Sequence, residues 1–373
     1  MSFPLIRSTE AEPIRQALRR KILAISSQSP DVAQFDELAL SVFHYQSTYN
    51  PLYRDYLKYL NVRPEQVTEV RQIPFLPIGF FKRHTVQTGI SNQFTTLPPD
   101  TLMFASSGTT GDQTSRHYVP DSALYEAISV QIFEQLYGPL QNVNVLALLP
   151  SYLERNNSSL VYMVQRFIDR SKRVSVGMNV TPEPTSGFFL NNYDELTSQL
   201  RSLSQRNVQK KILLIGVTFA LLDWAESSPD LSFLGNLSSL IIMETGGMKG
   251  RRRELLREEV HTLLKDRLGV QAIHSEYGMT ELLSQAYSTG EGVFRPSPTL
   301  RVLLRDINDP FHLYPNDFSR SGGVNVVDLA NLDSCSFIET QDLGQYVGNE
   351  GNFRVIGRFD NSDVRGCNLM IQL

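Results

Sequence analysis

The sequence predicts an α/β protein with parallel strands, because apolar runs alternate with amphipathic stretches after Gly108. The runs "VNVLALLP" and "KILLIG" are apolar almost throughout, whereas "SLVYMVQRFIDR" has helical spacing. Alternation of this kind is typical of βαβ units, and strands without a polar face suit a sheet that is covered on both sides. We therefore expect the functional site at the carboxyl ends of these strands.

Length and composition limit the classes of protein to consider. With 373 residues, 41% of them hydrophobic and 20% charged, the chain is expected to fold into two or three lobes. A net charge of −4 predicts no nucleic-acid partner. The amino-terminal stretch lacks the apolar core of a secretory signal, and the longest apolar runs are shorter than the ~20 residues that span a bilayer. We expect a cytoplasmic protein that does not insert into membranes.

The texture of the chain changes three times along its length. Helical spacing in "EPIRQALRRKILAI" and "FDELALSVFHYQSTYNPLYRDYLKYL" predicts a helical entry segment, which with the start of an amino-terminal α/β subdomain occupies residues 1–100. Pro74 and Pro77 then place an apolar loop or short strand over a pocket. We expect an α/β core that carries the binding motifs over 101–290, a β-rich subdomain over 291–356, and a hinge with a short tail over 357–373.

The stretch "FASSGTTGD" combines two glycines with four hydroxyl residues, which are Ser106, Ser107, Gly108, Thr109, Thr110 and Gly111. Backbone N–H groups and hydroxyls in such a loop suit the oxygens of a polyphosphate. Neither a G-K-[ST] ending nor G-x-G-x-x-G spacing is present, so the loop matches no nucleotide-binding fingerprint of those kinds. A flexible surface turn is an equal alternative.

The stretch "HSEYGMTELLSQAYS" predicts a glycine turn that leads into a helix beginning at Thr280 and Glu281. Helix N-termini favour anions, so a carboxylate beside a phosphate there implies a bridging Mg²⁺. The alternative is that Thr280 and Glu281 only cap the helix.

In "METGGMKGRRRE" a strand ends at Gly246 and Gly247, which leave room for a flat base such as adenine, before a basic helix. Lys249 and 251–253 are expected mainly as a solvated helix face rather than a binding patch.

Several single residues are open to two interpretations. His117 could be a base or a carboxylate contact, although a hydrogen-bonded structural role is the commoner one. His274 could line a pocket or pack in the core, and Cys335 is expected in the core. Cys367 stands near the end of the sequence, where its thiol is either a nucleophile or a small buried hydrophobe.

Four motifs in order resemble those of acyl-adenylate-forming enzymes, namely "SSGTTG", "EYGMTE", "ETQDLG" and "GRFDNSDVRG". More narrowly, "VFHYQSTYNPLYRDYL", "IPFLPIGFFKRH", "METGGMKGRRRE" and "DVRGCNLM" resemble the acyl-protein synthetase (LuxE) family, and the closing stretch also resembles the hinge of phenylacetate-CoA ligases. The resemblance implies an adenylate-forming large domain with stacked parallel-sheet αβα subdomains, a small β-rich subdomain and a truncated carboxyl-terminal lobe.

The resemblance also implies roles for individual residues. It assigns the ATP phosphates to Ser106, Ser107, Gly108, Thr109, Thr110 and Gly111, adenine to Gly246, Gly247 and Tyr277, and Mg²⁺ to Glu281. Gly278 belongs to the same ATP-binding set, and Thr280 is placed at the α-phosphate. Asp342 matches the ribose-binding aspartate although Gln341 replaces the usual glycine, and Arg358 and Asp360 match the hinge.

Relatives of this kind usually continue with a mobile lobe that carries a catalytic lysine, and with 16 residues after Gly357 we expect no counterpart of that lysine here. The positive charge is then expected from Lys82, Arg83, Arg116 or Lys249, or from a partner protein.

The activity implied by the resemblance is ATP-dependent activation of a carboxylic acid, most simply a fatty acid, as acyl-AMP. Thr280, Glu281, His117 and Lys249 would serve this step, and Cys367 would carry the acyl group to a LuxC-like reductase partner in a possible homo- or hetero-oligomer. The alternatives are an acyl- or aryl-CoA ligase and a non-catalytic nucleotide- or acyl-binding protein.

Overall fold

The computed structural model describes residues 10–28, 30–89, 100–106, 114–149, 157–172, 186–205, 210–228, 230–248, 253, 255–348 and 350–359. Nine α-helices lie in these ranges: α1 (Ala11–Ser26), α2 (Val32–Tyr49), α3 (Pro51–Tyr59), α4 (Phe80–Arg83), α5 (Ser122–Tyr137), α6 (Ser159–Ser171), α7 (Tyr193–Gln205), α8 (Thr218–Ser227) and α9 (Arg257–Leu268). The strands in these ranges are β1 (Leu76–Pro77), β2 (Leu102–Ala105), β3 (Arg116–Val119), β4 (Val143–Leu148), β5 (Gly187–Phe189), β6 (Lys211–Val217), β7 (Leu240–Thr245), β8 (His274–Tyr277), β9 (Ala286–Ser288), β10 (Arg295–Pro296), β11 (Leu300–Arg305), β12 (Gly322–Asp328), β13 (Phe337–Val347) and β14 (Asn352–Arg358).

The central sheet has seven strands in the order β10-β9-β8-β7-β6-β4-β5. Strands β5, β4, β6, β7 and β8 are parallel, and β9 and β10 extend the sheet in antiparallel fashion. Every residue of β4 is buried, and β6 is buried from its second residue onward. The prediction of an α/β fold built on parallel, fully apolar strands is therefore confirmed.

A second sheet forms the β-rich part of the described chain. Strands β11, β12, β13 and β14 pair antiparallel in sequence, and β1 adds to β13 in parallel. The strands β2 and β3 form a separate antiparallel pair. Strand β13 carries Asp342, whose carboxylate contacts Tyr277 of β8 in the central sheet.

The predicted amino-terminal helices are present, and their boundaries follow from local capping. Asp31 accepts a hydrogen bond from the Gln34 N–H at the start of α2, and Asn50 caps α3 with Pro51 in its first turn. No helix among the described residues is both long and apolar enough to span a bilayer. The basic helix expected after Gly247 falls largely on residues outside the described ranges, and the next described helix, α9, begins at Arg257.

A buried ion-pair cluster fastens α1 to the rest of the fold. Arg15, which is 3% exposed, contacts Asp333 and donates to an Asp121 carboxylate oxygen at 2.9 Å. Arg19 Nε donates to the same Asp121 oxygen at 2.6 Å. Asp121 also caps α5 by accepting from the Leu124 N–H. Burial alone would raise the pKa of Asp121, but the hydrogen bonds from Arg19, Leu124 and Arg15 lower it to about 2.

We expect Asp121→Asn to lower the free energy of unfolding by about 2 kcal/mol near neutral pH, because it removes the charge but keeps a capping oxygen. The folded-state pKa lies below the unfolded value, so this stabilisation is present above about pH 4 and is lost as the pH falls towards 2. Urea unfolding of both proteins across this range would measure it. Asp169→Asn, which breaks a partly exposed pair with Arg166, is the control and should change little. A gap between wild type and Asp121→Asn that does not depend on pH would contradict the prediction.

Candidate functional site

A cleft of about 2310 Å³ opens over the carboxyl ends of β6, β7 and β8 and extends to β13 and β14. This is the edge of the central sheet where the sequence predicted a site. Among the residues that line it are Ser106, Ser115, Gly246, Gly247, Tyr277, Gly278, Thr280, Glu281, Asp342 and Arg358. The structure therefore places these predicted site residues around one cleft, whereas the described candidates His117, Arg83 and Arg116 are not among the residues that line it.

The two described ends of the hydroxyl-rich segment, Ser106 and Ser115, adjoin the β2–β3 pair and line the cleft. They close the base of this segment, because the Ser115 N–H donates to Ser106 Oγ at 2.9 Å and the Ser106 N–H donates to the Ser115 carbonyl at 3.1 Å. The side chain of Ser106 therefore ties the two ends of the loop together. Ser107, Gly108, Thr109, Thr110 and Gly111 lie outside the described residues.

The two glycines after β7 are needed for different reasons. Gly246 has a φ of 75°, which residues with a Cβ rarely adopt. A Cβ at Gly247 would meet no atom within 4 Å, so any side chain there would project into the cleft that Gly247 lines. Bare backbone at this edge leaves space for a flat ligand such as a base. Lys249 lies outside the described residues.

The prediction that a helix begins at Thr280 and Glu281 is wrong. Residues 279–285 form turns, closed by a hydrogen bond from the Leu282 N–H to the Met279 carbonyl at 3.1 Å. Side chains from distant segments take up the backbone groups that a helix would have paired. Asp328 accepts from the N–H groups of Leu283 and Ser284, and Asn331 donates to the Glu281 carbonyl at 2.8 Å.

His117 supports the same turn on the side away from the cleft. Its Nδ1 lies 2.8 Å from the Thr280 carbonyl oxygen, and its ring packs edge-on against Phe81. Burial lowers the pKa of His117 to about 4, against the opposing effect of the Thr280 hydrogen bond, so the ring is neutral at pH 7 and Nδ1 is the donor. His117 is not among the residues that line the cleft.

Glu281 is a buried carboxylate that faces the cleft. Burial raises its pKa, and a hydrogen bond from Ser115 and the charge of Arg358 oppose the shift. Mg²⁺ usually takes one or two protein carboxylates and completes its coordination with water and substrate phosphates. Among the described residues no group of three or more His, Cys, Asp or Glu side chains could enclose a metal ion. The Glu281 carboxylate would fit a Mg²⁺ ion that is bound together with the phosphates of a nucleotide.

Tyr277, Asp342 and Arg358 form a connected chain on the far wall of the cleft. The Tyr277 hydroxyl donates to Asp342 at 2.8 Å, and Arg358 Nε donates to the other carboxylate oxygen at 3.0 Å. The Tyr277 ring packs against Phe294 and Phe353, with centroids 5.7 and 5.4 Å away. A carboxylate offers about four acceptor positions, so Asp342 keeps capacity for further donors such as ribose hydroxyls.

Sequence reasoning missed two buried carboxylates at the ends of β7 and β8. Glu244 accepts from Thr218 Oγ1 at 2.9 Å and lies 3.6 Å from Arg257; burial would raise its pKa, but Arg257 and His261 outweigh burial and lower it. Glu276 accepts from the Thr245 hydroxyl, and burial raises its pKa to about 7 with Glu244 adding to the rise. A glutamate inside "LIIMET" and another in "AIHSEYG" were the available signals, because acidic residues seldom occur inside buried strands.

The positions of the remaining candidate residues show which of them can contribute to the cleft. Lys82 lines the cleft, whereas Arg83 and Arg116 are not among its described lining residues. Cys335 is buried, and burial raises its pKa to about 12, which fits the expected core position. His274 hydrogen-bonds the Tyr137 hydroxyl at 3.1 Å. Cys367 and Asp360 lie outside the described residues.

The family model described as "Acyl-protein synthetase, LuxE" matches residues 20–372. The chain belongs to the LuxE acyl-protein synthetase family. The resemblance to this family that was drawn from the motifs is confirmed.

The solved structures that are similar to this LuxE-family chain include two bacterial proteins. One is NpsA-ThdA, an artificially fused adenylation–PCP di-domain NRPS from Klebsiella oxytoca, with 12% identity and a TM-score of 0.40 over 72% of this chain and 47% of that one. The other is a fatty acyl-adenylate ligase from L. pneumophila in complex with acyl adenylate and pyrophosphate, with 13% identity and a TM-score of 0.41 over 71% and 52%. The chain thus spans about half the length of these structures. No curated protein matches it.

Proposed function

We propose that this chain is an ATP-dependent acyl-protein synthetase that activates a carboxylic acid, transfers the acyl group to its own Cys367 and passes it to an acyl-accepting reductase protein. The observation that carries the proposal is the shared cleft. The base of the hydroxyl-rich loop, the glycine edge, the Thr280–Glu281 turn and Asp342 all line it, in a chain of the LuxE family.

ATP would lie across the ends of the parallel strands. Adenine would rest on the backbone of Gly246 and Gly247, the ribose hydroxyls would donate to Asp342, and the phosphates would reach the loop and Thr280. Glu281 would hold Mg²⁺, which when bound neutralises phosphate charge in such sites. The neutral His117 ring fixes the Thr280 carbonyl and so keeps the turn in place.

The first step is an in-line displacement at phosphorus. A carboxylate oxygen of the acid forms a bond to the α-phosphorus, the bond from that phosphorus to the bridging oxygen breaks, and pyrophosphate leaves with the electron pair. Negative charge crowds the phosphorus, so cationic side chains that reach it would lower the barrier. Lys82 lines the cleft, and no carboxylate among the described residues is within ion-pair distance of it. Lys82 is therefore our candidate for the positive charge.

The second step moves the acyl group to sulfur. The Cys367 thiol loses its proton to solvent, the thiolate forms a bond to the acyl carbonyl carbon, and the bond from that carbon to the phosphate oxygen breaks, releasing AMP. The thioester keeps the acyl group activated for the partner. Cys335 is unsuited to this step because its buried thiol stays protonated at neutral pH.

Radiolabelled fatty acid and ATP would test the proposal on the wild type, Cys367→Ala and the control Cys335→Ala. We expect a hydroxylamine-labile label on the wild type and on Cys335→Ala. Cys367→Ala should carry no label while still forming acyl-AMP, because only the acceptor thiol is removed.

Other results would favour the alternative functions. A thioester found on added CoA rather than on protein would make the chain a CoA ligase. Absence of acid-dependent pyrophosphate exchange across a broad panel of acids would make it a binding protein.

A further inference from the structure

The cleft has two chemically different sides, which strand β8 separates. Neighbouring residues of a strand point to opposite faces of its sheet. Tyr277 points towards Phe294, Phe353 and Asp342, the side that we assign to the nucleotide. Glu276 points to the other side, together with Thr245, its partner in the register of β7 and β8. The acid must therefore be sought on the Glu276 side.

The Glu276 side is enclosed by α5 and α6 and has apolar walls. Tyr125 of α5 and Leu160 and Met163 of α6 line the cleft there. Burial raises the pKa of the Tyr125 phenol, and the charge of the nearby Glu276 adds to the rise. An acyl chain could pack against these walls, but it would meet a carboxyl group that is only 7% exposed.

A second buried group on this side lacks a partner. Gln285, 3% exposed, lines the cleft, and its Oε1 accepts no hydrogen bond in the described structure. It lies two residues before Tyr287, which pairs with Glu276 in the register of β8 and β9, so it is on the same side of the sheet. Buried acceptors are normally satisfied, and an orphan that faces a cleft indicates a donor on the ligand.

We propose that Glu276 and Gln285 Oε1 form a polar anchor for the acyl chain, and that the acid activated by this chain carries a hydroxyl or amino group in addition to its carboxyl group. This inference rests on the proposed function, because it concerns the acid substrate of the same site. The amide oxygen of Gln285 is an acceptor, and the carboxyl group of Glu276 accepts hydrogen bonds when it is ionised, so a donor on the acid pairs with both groups. The Thr245 hydroxyl occupies one Glu276 oxygen and orients the other.

The anchor discriminates between acids because an acid without a donor cannot form hydrogen bonds to Glu276 and Gln285. A plain alkyl or aryl acid would keep water from Glu276 and Gln285 without replacing the lost hydrogen bonds. Sites built around buried hydrogen-bonding groups reject ligands that lack the matching group far more strongly than apolar pockets reject a longer chain. We therefore expect at least about a tenfold preference for acids that carry the donor.

The test compares matched acids in two independent assays. The acids are octanoate with its terminal-hydroxy and terminal-amino derivatives, and benzoate with its para-hydroxy and para-amino derivatives. Calorimetry without ATP measures acid binding, and acid-dependent pyrophosphate exchange measures activation. The variants are Glu276→Leu and Glu276→Gln, with Glu258→Gln, an exposed carboxylate at the rim of the cleft, as the control.

We expect the wild type and Glu258→Gln to bind at least one donor-bearing acid about tenfold or more tightly than its plain counterpart. Glu276→Leu should abolish or reverse this preference. Glu276→Gln removes only the charge, so it should reduce the preference more for the amino-substituted acids than for the hydroxy-substituted acids. The hydroxy and amino arms identify which donor the site takes. Urea unfolding of each variant checks that the fold is kept.

The two assays separate the two proposals. A binding preference that depends on Glu276 without any pyrophosphate exchange would overturn the proposed function and keep the anchor. Exchange that is equally fast with plain acids and unchanged in Glu276→Leu would overturn the anchor and keep the proposed function. Failure of every acid to bind, or an equal affinity for plain and donor-bearing acids, would also overturn the anchor.

Discussion

Replacing Glu281 with glutamine is expected to slow acid-dependent pyrophosphate exchange by about 10²–10³-fold, a loss comparable to that of one strong electrostatic contact to a transition state. Glutamine has nearly the same shape, so the turn held by His117, Asn331 and Asp328 should persist. The neutral amide is a weaker ligand for Mg²⁺ than a carboxylate, because it lacks the negative charge. Exchange assays at saturating ATP and acid, over a range of Mg²⁺ concentrations, would measure the effect.

The magnesium dependence distinguishes a lost ligand from a damaged fold. The variant should require a higher Mg²⁺ concentration and should unfold at nearly the same urea concentration as the wild type, since a buried charge with a raised pKa is removed. Glu258→Gln is the matched control, because it neutralises an exposed carboxylate at the cleft rim. If Glu281→Gln exchanged pyrophosphate as fast as the wild type at low Mg²⁺ concentration, Glu281 would not be the ligand of the cation.

The strands of the central sheet could be predicted from the sequence because their own side chains determine them. "VNVLALLP" and "KILLIG" lack polar positions over a full strand length, and only a sheet covered on both faces buries such runs. The location of the site at the carboxyl ends of these strands followed from the same pattern. Local composition was sufficient to predict the segments that are surrounded by apolar neighbours alone.

The turn at Thr280 could not be predicted in this way, because its conformation depends on distant partners. The side chains that take up its backbone groups are 45 residues away at Asp328, 50 at Asn331 and 163 at His117. Residues 281–285 have an ordinary helical composition when these partners are ignored. Side-chain acceptors compete with helical hydrogen bonds, and here they prevail.

The two glutamates of "SEYGMTE" show the same limit. Sequence spacing cannot tell which of Glu276 and Glu281 faces a ligand or which is held by a neighbour. The register of β7 and β8 places Thr245 beside Glu276, and the β2–β3 pair brings Ser115 to Glu281. Both facts arise from pairings between separate segments, so they become visible only in the assembled sheet.

Among the residues that hold the turn at Thr280, Asp328 is the one whose loss should lower stability most. It is fully buried at the end of β12, and its carboxylate accepts from the N–H groups of Leu283, Ser284 and Ala330 and from the Ser284 hydroxyl at 2.6 Å. Asp328→Ala would leave these donors without an acceptor in a site closed to water. We expect the free energy of unfolding to fall by about 3–5 kcal/mol, as for other buried polar networks that lose one member.

Urea unfolding of Asp328→Ala, Asp328→Asn and Asp309→Ala would test this expectation. Asp309 also accepts a backbone N–H, from Phe311 at 3.0 Å, but it is exposed, so its loss should cost less than about 1 kcal/mol. Asp328→Asn keeps one acceptor oxygen and should be intermediate. Any Asp328→Ala protein that remains folded should also lose pyrophosphate exchange, because the same contacts hold Glu281 in the cleft. A destabilisation as small as that of Asp309→Ala would mean that water satisfies the turn and that Asp328 does not position it.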